Sequence, residues 1–309
     1  MKILLVGGLG FIGRRFITRI SNSHEIIVYA TQDMVSRARE IIDFANITIE
    51  EGNIEDKKII DVIIKYKPDI VIHLAALTGL KKCHDDPEMA FRTNVYGTFN
   101  VVSGCIKSGS KIIFISSREV YGETTSKATK EDDPLVPNNT YGLTKMLGES
   151  LVKLAGVKQN LDYTILRLTN VYGPGGDQYG AQVIVRDAIT SGEIRILGGE
   201  QKLNYIYVED VVDVLNIVLV NKHPSREVFN VGSKDTISIK DFVTMVSKKI
   251  GKEIKLHYLP MRETETCNFE PDLTKINKNL GFEAKIPLEE GIRKTIEWYK
   301  NNKTDSVKN

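Results

Sequence analysis

The chain has 309 residues, of which 27% are charged and 41% are hydrophobic, and its formal net charge is +2. A chain of this length can bury a sizeable core and is expected to form about two domains, and its composition excludes wholesale disorder. Acidic and basic residues are nearly balanced and form no concentrated basic stripe, so we do not expect nucleic acid as a partner.

The cysteines and the amino terminus bear on the cellular compartment and on metal binding. Cys83, Cys105 and Cys267 lie far apart, are odd in number and show no C-x-x-C spacing, so neither a disulfide framework nor a zinc site is expected. The apolar run at residues 3–6 is too short for a signal sequence or a membrane span. We therefore expect a cytoplasmic protein with no membrane partner and no metal.

Short β-branched runs, which are typical of buried strands, alternate along the first half of the chain with stretches of helical spacing. The predicted strands are Lys2 to Val6, Glu25 to Tyr29, Ile47 to Glu50, Asp69 to Leu74, Lys111 to Ser116 and Asp162 to Leu168. The predicted helices are Ile12 to Ile20, Ile54 to Tyr66, Pro87 to Ile106 and Tyr141 to Leu154. The alternation predicts an α/β fold with a doubly wound parallel sheet and helices on both faces.

The sequence changes in character after Thr169. A glycine-rich loop is followed by a helix and by a short strand from Ile194 to Leu197. We expect residues 1–168 to form the first domain and residues 169–309 a smaller, C-terminal α/β domain. Three segments are candidates to return to the main sheet: Tyr205 to Val208, the helix Val211 to Val220 and the strand Val228 to Val231.

A glycine loop joins the first predicted strand to the first predicted helix, with glycines at Gly7, Gly10 and Gly13. A tight turn needs backbone geometry open to glycine, a pyrophosphate needs close approach, and a helix N-terminus offers N–H groups to an anion. An ordinary strand-to-helix turn is the alternative. The flanking strand and helix favour dinucleotide binding and hence a Rossmann-type sheet.

The end of the second strand leaves the choice of dinucleotide open. An acid commonly stands there and accepts hydrogen bonds from the adenosine ribose, but residues 28–31 contain none. Asp33 lies a few residues late, and Arg37 and Arg39 lie farther along the next helix. We expect NAD as the cofactor, with NADP as the alternative.

Tyr141 and Lys145 lie four residues apart, on one face of a predicted helix. A free tyrosine has a pKa of about 10 and becomes a usable base only when nearby positive charge favours phenolate, which Lys145 and an oxidised nicotinamide would provide. Ser117 lies just past a predicted strand, at the sheet edge where it can hold a substrate oxygen. Alone, the pair could be a surface helix pair; with Ser117 and the glycine loop, the pattern favours hydride transfer.

These residues, in this order, resemble the extended short-chain dehydrogenase/reductase family, especially its nucleotide-sugar epimerases and dehydratases. Further motifs extend the resemblance over most of the chain: residues 73–76 (HLAA), 94–98 (NVYGT), 116–122 (SSREVYG), 170–174 (NVYGP) and 205–210 (YIYVED). The resemblance implies that a nucleotide-diphosphate sugar is the substrate and that the C-terminal domain binds it. His73, inside an apolar strand, is interpreted as a packed core residue rather than a catalytic one.

The resemblance also assigns residues to the two ligands. The implied cofactor-binding residues are Gly7, Gly10, Phe11, Ile12, Asn53, Ile54, Leu74, Ala75, Ala76, Asn94, Ser116, Tyr141 and Lys145. The implied substrate-binding residues are Thr78, Asn170 and Arg262. The implied catalytic residues are Ser117, Tyr141 and Lys145, with Glu119 as a further candidate.

Three positions depart from the pattern of this family. Ala30 and Asn53 stand where the family usually has aspartates that hold the adenosine; Asn53 can still accept a hydrogen bond, but Ala30 cannot. Leu203 stands where the family has an arginine that grips the substrate diphosphate, which leaves Arg262 as the remaining cationic contact. A weaker or shifted grip on both nucleotides is expected.

Glu119 separates the reactions that the resemblance allows. The family's 4,6-dehydratases tend to have Asp-Glu, or a polar residue and Glu, after the catalytic Ser or Thr; decarboxylases keep the Glu, and many 4-epimerases have small residues at both places. This chain has Arg118-Glu119, and loss of water requires an acid and a base, of which Glu119 supplies one. The missing partner counts against dehydration.

We therefore expect an NDP-sugar 4-epimerase of the UDP-glucose/UDP-galactose type, in which Glu119 is an orienting or structural group. The alternatives are a 4,6-dehydratase or decarboxylase that uses Glu119, an NADPH-dependent keto-sugar reductase, and an idle cofactor-binding protein of the same fold. The helices Pro87 to Ile106 and Tyr141 to Leu154 carry apolar residues beyond one face. The corresponding helices of the family form a dimer bundle, so a homodimer is expected.

Overall fold

Most of the apolar runs form strands in the computed structural model, which describes residues 1–38, 46–124, 128–176, 180–220, 225–261, 265 and 268–302. The strands are β1 (Lys2–Val6), β2 (Glu25–Ala30), β3 (Ile47–Glu51), β4 (Ile70–His73), β5 (Lys111–Ser117), β6 (Tyr163–Leu168), β7 (Asn170–Tyr172), β8 (Glu193–Leu197), β9 (Lys202–Tyr207), β10 (Glu227–Val231), β11 (Thr236–Ser238) and β12 (Lys255–Leu259). The predicted strands of the first half therefore differ from the observed ones only at their ends.

Helices alternate with these strands. They are α1 (Phe11–Ile20), α2 (Gln32–Ala38), α3 (Lys58–Tyr66), α4 (Leu80–Asp85), α5 (Pro87–Phe91), α6 (Gly97–Ser108), α7 (Thr140–Gln159), α8 (Ala181–Thr190), α9 (Val208–Val220), α10 (Ile239–Ile250), α11 (Thr274–Leu280) and α12 (Leu288–Asn301). A π-helical turn at Arg92–Tyr96 joins α5 to α6, and a 3-10 turn at Arg118–Val120 follows β5. None of the described helices combines the length and apolarity needed to cross a bilayer.

Seven strands form one sheet in the order β10-β6-β5-β4-β1-β2-β3. All pairs between β3 and β6 are parallel. The strand order reverses between β1 and β4, and open α/β sheets bind ligands at the carboxyl ends of the strands beside such a reversal. The predicted Rossmann-type sheet is confirmed.

The strands of this sheet are apolar on both faces because helices cover both. Ile3, Leu4, Leu5 and Val6 in β1 are each 0% exposed. The core of one face combines these strands with apolar side chains of α3, α6 and α7. Each fully buried aliphatic side chain of this kind stabilises the fold by roughly 1.5–3 kcal/mol, so the sheet supplies a rigid platform for the loops at its edge.

The predicted helix from Pro87 to Ile106 is interrupted. It consists of α5, the π-helical turn and α6, so Asn94 lies in a stretch of i→i+5 geometry. The Thr98 hydroxyl donates to the carbonyl oxygen of Asn94 at 2.6 Å. The Asn94 side chain exchanges two hydrogen bonds with the backbone of Leu77, at 2.7 and 3.0 Å. Single π turns often occur at functional sites, and hydropathy does not reveal them.

Contacts within the chain define two compact units. One contains Met1–Gly122, Pro134–Leu168 and Val212–Phe229; the other contains Glu123–Asp133, Thr169–Val211 and Asn230–Asn309. The strand β10 lies in the main sheet, whereas the segment beginning at Tyr205 belongs to β9, which pairs with β7 and β11 in a separate three-stranded sheet. Of the three segments considered for the main sheet, the one containing Tyr205 therefore lies elsewhere.

The second unit has its own core. Four aromatic rings meet there, with centroids 4.9 to 6.5 Å apart, from Tyr172, Tyr205, Tyr207 and Phe242. A two-stranded parallel sheet of β8 and β12 completes this unit. Aromatic residues bury large apolar areas, so a unit of this size can hold a stable core of its own.

The segment Glu123–Asp133 belongs to the second unit, whereas the boundary expected at residue 168 places it in the first. Thr129 forms a β-bridge with Pro271, and the Glu131 carboxylate accepts a hydrogen bond from the backbone N–H of Asn230 at 2.8 Å. These are long-range contacts of a short irregular segment. The periodicity of apolar residues along the sequence does not indicate such contacts.

Candidate active site

The glycine loop lies between β1 and α1. Gly7 has a φ of +79°, and a Cβ at this position would lie 2.6 Å from the backbone N and Cα of Ala75. A Cβ at Gly13 would overlap the carbonyl oxygen of Gly8. Only glycine satisfies both positions, and the loop backbone therefore stays open to the close approach of a phosphate.

The first turn of α1 is arranged for an anion. Its N-cap residue is Gly10, and among the described residues no side chain caps the helix. The first turn contains no acidic residue. The backbone N–H groups of Phe11 and Ile12 and the positive end of the helix dipole therefore favour a negatively charged group. This cradle fits the pyrophosphate of a dinucleotide.

Other predicted cofactor residues lie at the same carboxyl edge of the sheet. Asn53 and Ile54 follow β3, Leu74, Ala75 and Ala76 follow β4, and Ser116 is the penultimate residue of β5. Tyr29 donates its hydroxyl to the carbonyl oxygen of Asn53 at 3.1 Å, which fixes the loop after β3. The ends of neighbouring parallel strands therefore bring these residues to one edge, as a dinucleotide site requires.

The ribose end of the site lacks the usual acid. Ala30 ends β2 and is 5% exposed, so no carboxylate projects from this strand end. Asp33 pairs with Arg37 on the exposed surface of α2, at 3.1 Å. Arg39 lies outside the described residues. An adenosine ribose must therefore be held through contacts other than a strand-end carboxylate.

Ser117, Tyr141 and Lys145 come together at this edge. Ser117 is the last residue of β5, one residue later than the strand end predicted, and it hydrogen-bonds Tyr141. The Lys145 ammonium lies 5.9 Å from the centre of the Tyr141 ring. Strand β5 supplies the serine, and one face of α7 supplies the phenol and the ammonium.

A cap residue sets the start of α7. The Asn139 side chain accepts a hydrogen bond from the backbone N–H of Gly142 at 2.8 Å. The Thr144 hydroxyl donates to the carbonyl oxygen of Tyr141 at 2.8 Å and accepts from the Asn94 amide at 3.0 Å. Such a cap typically contributes about 1 kcal/mol, and together these contacts fix the turn that carries Tyr141.

Burial dominates the protonation of both catalytic candidates on α7. It raises the pKa of Tyr141, and the negative charge of Glu119 acts in the same direction, while the hydrogen bond with Ser117 opposes it. Burial lowers the pKa of Lys145 to about 8, although the nearby Glu149 favours the ammonium. Burial is the largest cause of the raised pKa of Tyr141, and the role of Lys145 and a bound nicotinamide in favouring the phenolate stays a prediction.

A buried ion pair links the end of β5 with α7 and β6. Glu149 and Arg167 are each 1% exposed, and the Arg167 guanidinium donates two hydrogen bonds to the Glu149 carboxylate at 2.8 and 2.7 Å. Ser116 also donates to Glu149 at 2.7 Å, and Arg167 donates to the Tyr121 hydroxyl at 2.7 Å. Burial would raise the pKa of Glu149, but Arg167 holds it below its ordinary value.

Sequence reasoning missed this ion pair. Glu149 lies one turn after Lys145 on the same face of α7, but that i, i+4 spacing gives no indication of its partner Arg167, which lies on β6. The hydroxyl of Ser116, predicted to face the cofactor, donates to this carboxylate. The pair thus ties β5, β6 and α7 together beneath the catalytic candidates.

His73 lies in the core, at the end of β4. It is 1% exposed, its Nε2 lies 3.0 Å from the Thr98 hydroxyl, and its ring packs against Phe114. Burial, reinforced by the charge of Lys145, lowers the pKa of His73 to about 3. The imidazole is therefore neutral at physiological pH and is not an imidazolium that could act as a general acid.

Of the predicted substrate residues, Thr78 belongs to the first unit and Asn170 to the second. Thr78 is exposed in the loop after β4. Asn170 starts β7 in the second unit, where its amide donates to the carbonyl oxygen of Asn204 at 2.8 Å. Arg262 lies outside the described residues. Leu203, which replaces the family arginine, packs against the apolar core of the second unit and has no charge to offer a phosphate.

A phosphate cradle and a Ser, Tyr and Lys group at one edge of a Rossmann-type sheet define a nicotinamide-dependent enzyme. The sequence model of the NAD dependent epimerase/dehydratase family matches residues 3–232, and the chain belongs to this family. It is an NAD-dependent enzyme of the kind that acts on sugar nucleotides. The predicted family and the predicted cofactor, NAD, are confirmed.

Three relatives show the chemical range of this family. The chain is 30% identical to a UDP-N-acetyl-alpha-D-glucosaminuronate decarboxylase of Bacillus cytotoxicus, over 98% of this chain and 99% of the relative. It is 28% identical to the dTDP-D-glucose 4,6-dehydratase of Mus musculus, over 97% of this chain and 89% of the relative. The crystal structure of a UDP-glucose 4-epimerase from Thermotoga maritima with UDP-glucose superposes with a TM-score of 0.91, at 30% identity, covering 98% of this chain and 99% of that one.

Proposed function

We propose that this protein is an NDP-sugar 4-epimerase of the UDP-glucose/UDP-galactose type. The observation that carries the proposal is the buried ion pair between Arg118 and Glu119, whose Nη2 and Oε1 atoms lie 2.7 Å apart. Elimination needs a second acid or base beside Tyr141, and here the only carboxylate that follows Ser117 in the 3-10 turn is paired with a cation. Epimerisation needs no such group.

The residues of this chain would perform the proton chemistry. In its deprotonated form, Tyr141 accepts the proton of the sugar C4 hydroxyl and later returns it. Ser117, hydrogen-bonded to Tyr141, holds the same oxygen as the C–O bond gains and loses double-bond character. The Lys145 ammonium supplies positive charge that favours the phenolate. Bound NAD would supply reversible hydride chemistry at C4 and would leave each turnover redox-neutral.

Burial of Tyr141 determines when these proton transfers can take place. Because burial raises the pKa of Tyr141, the phenol holds its proton until positive charge accumulates near it. Proton transfer to Tyr141 is therefore expected only when the cofactor and the substrate are both bound. Epimerisation would also require the 4-keto sugar to turn over in the pocket, which needs few fixed contacts to the sugar ring.

A nucleotide-diphosphate sugar is the proposed substrate, and the second unit offers elements for it. The helix α8 begins after Gly180, which has no side chain to cap it, and its first turn contains no acidic residue. Such a helix start favours a diphosphate. Asn170, Thr78 and Arg262 are the proposed polar contacts, and Leu203 in place of the family arginine predicts a weaker hold on the diphosphate.

One observation favours a second candidate reaction, a 4,6-dehydration or decarboxylation that uses Glu119. The chain retains Glu119, and relatives at similar identity include a decarboxylase and a dehydratase. In those reactions Glu119 would exchange a proton with the substrate.

One experiment separates these reactions. The full chain is incubated with NAD and a panel of nucleotide sugars, while products are identified by NMR and the absorbance of the reduced cofactor is followed. We expect interconversion of UDP-glucose and UDP-galactose with no net reduction or oxidation of the cofactor. Release of carbon dioxide or a 4-keto-6-deoxy sugar supports the chemistry that uses Glu119, and a net change in the amount of reduced cofactor contradicts the redox-neutral epimerase.

We also propose that the protein is a homodimer. Large apolar side chains are exposed on neighbouring helices of the first unit: Met89, Phe91, Tyr96, Phe99, Ile106, Leu154 and Val157. The rings of Tyr96 and Phe99 stack with centroids 6.1 Å apart on this surface. Exposed apolar side chains on adjacent helices are typical of an interface, and a second copy of the chain presents the same set.

A further inference from the structure

The ion pair between Arg118 and Glu119 is buried directly behind the catalytic serine. Both residues belong to the 3-10 turn after β5, and their side chains are 7% and 8% exposed. A buried carboxylate that faces a guanidinium at 2.7 Å moves only if its partner moves with it, because separating the two would leave each charge buried alone. The position of Glu119 is therefore fixed by Arg118.

The second carboxylate oxygen of Glu119 has a different partner. Asn139 donates its Nδ2–H to Oε2 of Glu119 at 2.8 Å. The Oδ1 atom of the same amide accepts the backbone N–H of Gly142 at 2.8 Å and caps α7. A continuous chain of polar contacts thus runs from Arg118 through Glu119 and Asn139 to the turn that carries Tyr141.

The backbone of the turn is tied to the same groups. The N–H of Glu119 donates to the Ser117 hydroxyl at 3.2 Å. A Cβ on Gly142 would overlap the carbonyl oxygen of Glu119, so the first turn of α7 lies directly against this peptide. Glu119 therefore contacts the serine through its backbone and the helix of the tyrosine through its side chain.

We propose that Glu119 is a positioning residue, which sets Ser117 and Tyr141 relative to each other and neither gives nor takes a proton in the reaction. Arg118 is then a specificity-determining residue, because it holds in an ion pair the carboxylate that an elimination would use. This inference rests on the proposed epimerase activity. It explains why an epimerase can retain a glutamate after its catalytic serine.

The test compares Glu119→Gln, Asn139→Ser and the double variant in the full-length protein. The glutamine amide introduced by the first change keeps the shape of the side chain but can offer an acceptor to only one of Arg118 and Asn139. The serine hydroxyl introduced by the second change can still cap α7 but is too short to link the cap to Glu119. For a positioning role, we expect each single variant to lose about fivefold in kcat, the scale of one weakened cap contact, with little change in KM.

The coupling between the two sites is the decisive quantity. Because both changes break the same chain of contacts, the double variant should also lose about fivefold, whereas independent effects would give about 25-fold. The acidic limb of the kcat profile should move to lower pH in Glu119→Gln, since removing this negative charge lowers the pKa of Tyr141. Hydrogen exchange at the Gly142 amide should rise in both single variants, because a cap side chain that Glu119 no longer holds in place accepts this N–H less well.

Three results would overturn the proposal. They are a loss of about 100-fold or more in Glu119→Gln, which is the scale of a general acid or base, additive losses in the double variant, and unchanged exchange at Gly142. If Glu119→Gln does not fold, Asn139→Ser, which leaves the ion pair in place, carries the test through its kcat and its Gly142 exchange. Glu297→Gln, at an exposed residue of α12, is the control and should match the wild type.

Failure of the proposed function is distinguishable from failure of this inference. A wild-type protein that interconverts no nucleotide-sugar epimers would contradict the epimerase activity. The exchange of the Gly142 amide reports the contacts between Glu119, Asn139 and α7 without any substrate. Increased exchange in both variants of an inactive protein would support the structural link, and the role in epimerisation would fall with the activity.

Discussion

The ammonium of Lys145 donates a hydrogen bond to the carbonyl oxygen of Ile115 at 2.9 Å. This contact anchors a buried cation to the strand that ends in Ser117, so β5 holds both Ser117 and the Lys145 ammonium. Burial nevertheless lowers the pKa of Lys145 to about 8. The charge beside Tyr141 is therefore sensitive to mildly alkaline pH.

We predict an alkaline limb in the kcat/KM profile with an apparent pKa of about 8. Below that pH Lys145 is an ammonium, and above it the phenolate of Tyr141 loses its nearest cation. The pH dependence of the folding stability has the opposite direction. Because the folded pKa lies below the ordinary value of 10.5, folding stability rises as pH increases from about 8 toward 10.5. Rates flat to about pH 10 would contradict the assignment.

Tyr141→Phe should reduce kcat by about 100-fold or more, since it removes the only proposed proton acceptor. Binding of NAD, measured by calorimetry, should change little because the phenyl ring is retained. Tyr258→Phe, at an exposed tyrosine on β12, serves as the matched control and should keep full activity. Unchanged turnover in Tyr141→Phe would mean that another group moves the proton.

Gly7→Ala should weaken NAD binding at least about tenfold, which corresponds to about 1.4 kcal/mol. Its new methyl group would meet the backbone of Ala75 at 2.6 Å and displace the phosphate loop. Gly109→Ala is the matched control, because Gly109 has a similar φ of +74° but open space around its Cβ position. Both variants should lose stability through backbone strain, and only Gly7→Ala should lose affinity in a titration with NAD.

Glu149→Gln should destabilise the fold by about 3–5 kcal/mol, because it leaves the buried Arg167 without its charged partner. The measurement is urea unfolding, with exposed Glu297→Gln as the control. Since Arg167 holds the pKa of Glu149 below its ordinary value, the stabilisation is complete above that ordinary value and is lost as pH falls through the folded pKa. Equal stabilities of the two variants at neutral pH would show that the pair contributes nothing net.

Phe99→Glu should convert the proposed dimer to monomer, since it places a charge in the exposed apolar surface of α6, where Phe99 is 48% exposed. Val220→Glu, at a residue 55% exposed on α9, is the control and should leave the assembly unchanged. Size-exclusion chromatography with light scattering reports the mass directly. A wild-type protein that is monomeric at working concentration would refute the dimer.

The sequence predicted the sheet and the position of its ligand edge because these follow from local patterns. Runs such as Ile3 to Val6 are apolar throughout only when helices cover both faces of a strand. Gly7 and Gly13 are required by backbone contacts that one strand-to-helix turn fixes locally. Ser117 ends a strand of this sheet, and Tyr141 and Lys145 share one face of a helix, so their placement follows from the predicted elements.

Long-range polar contacts could not be predicted in the same way. The pairing of Glu149 with Arg167 joins residues on α7 and β6, and the link from Glu119 to Asn139 depends on how a 3-10 turn meets a helix cap. The raised pKa of Tyr141 depends on how deeply the folded site is buried. Each of these requires three-dimensional distances, which hydropathy and spacing do not contain.

The π-helical turn at Arg92–Tyr96 has a consequence for how this chain can vary. A π turn accommodates one residue more than an α-helical turn, and each residue of an α-helix rotates the following side chains by about 100°. Removing one residue there would restore a regular helix, but it would swing Asn94 away from Leu77 or turn Phe99 away from the exposed apolar surface. A single-residue deletion in this turn is therefore expected to disrupt at least one of these two arrangements.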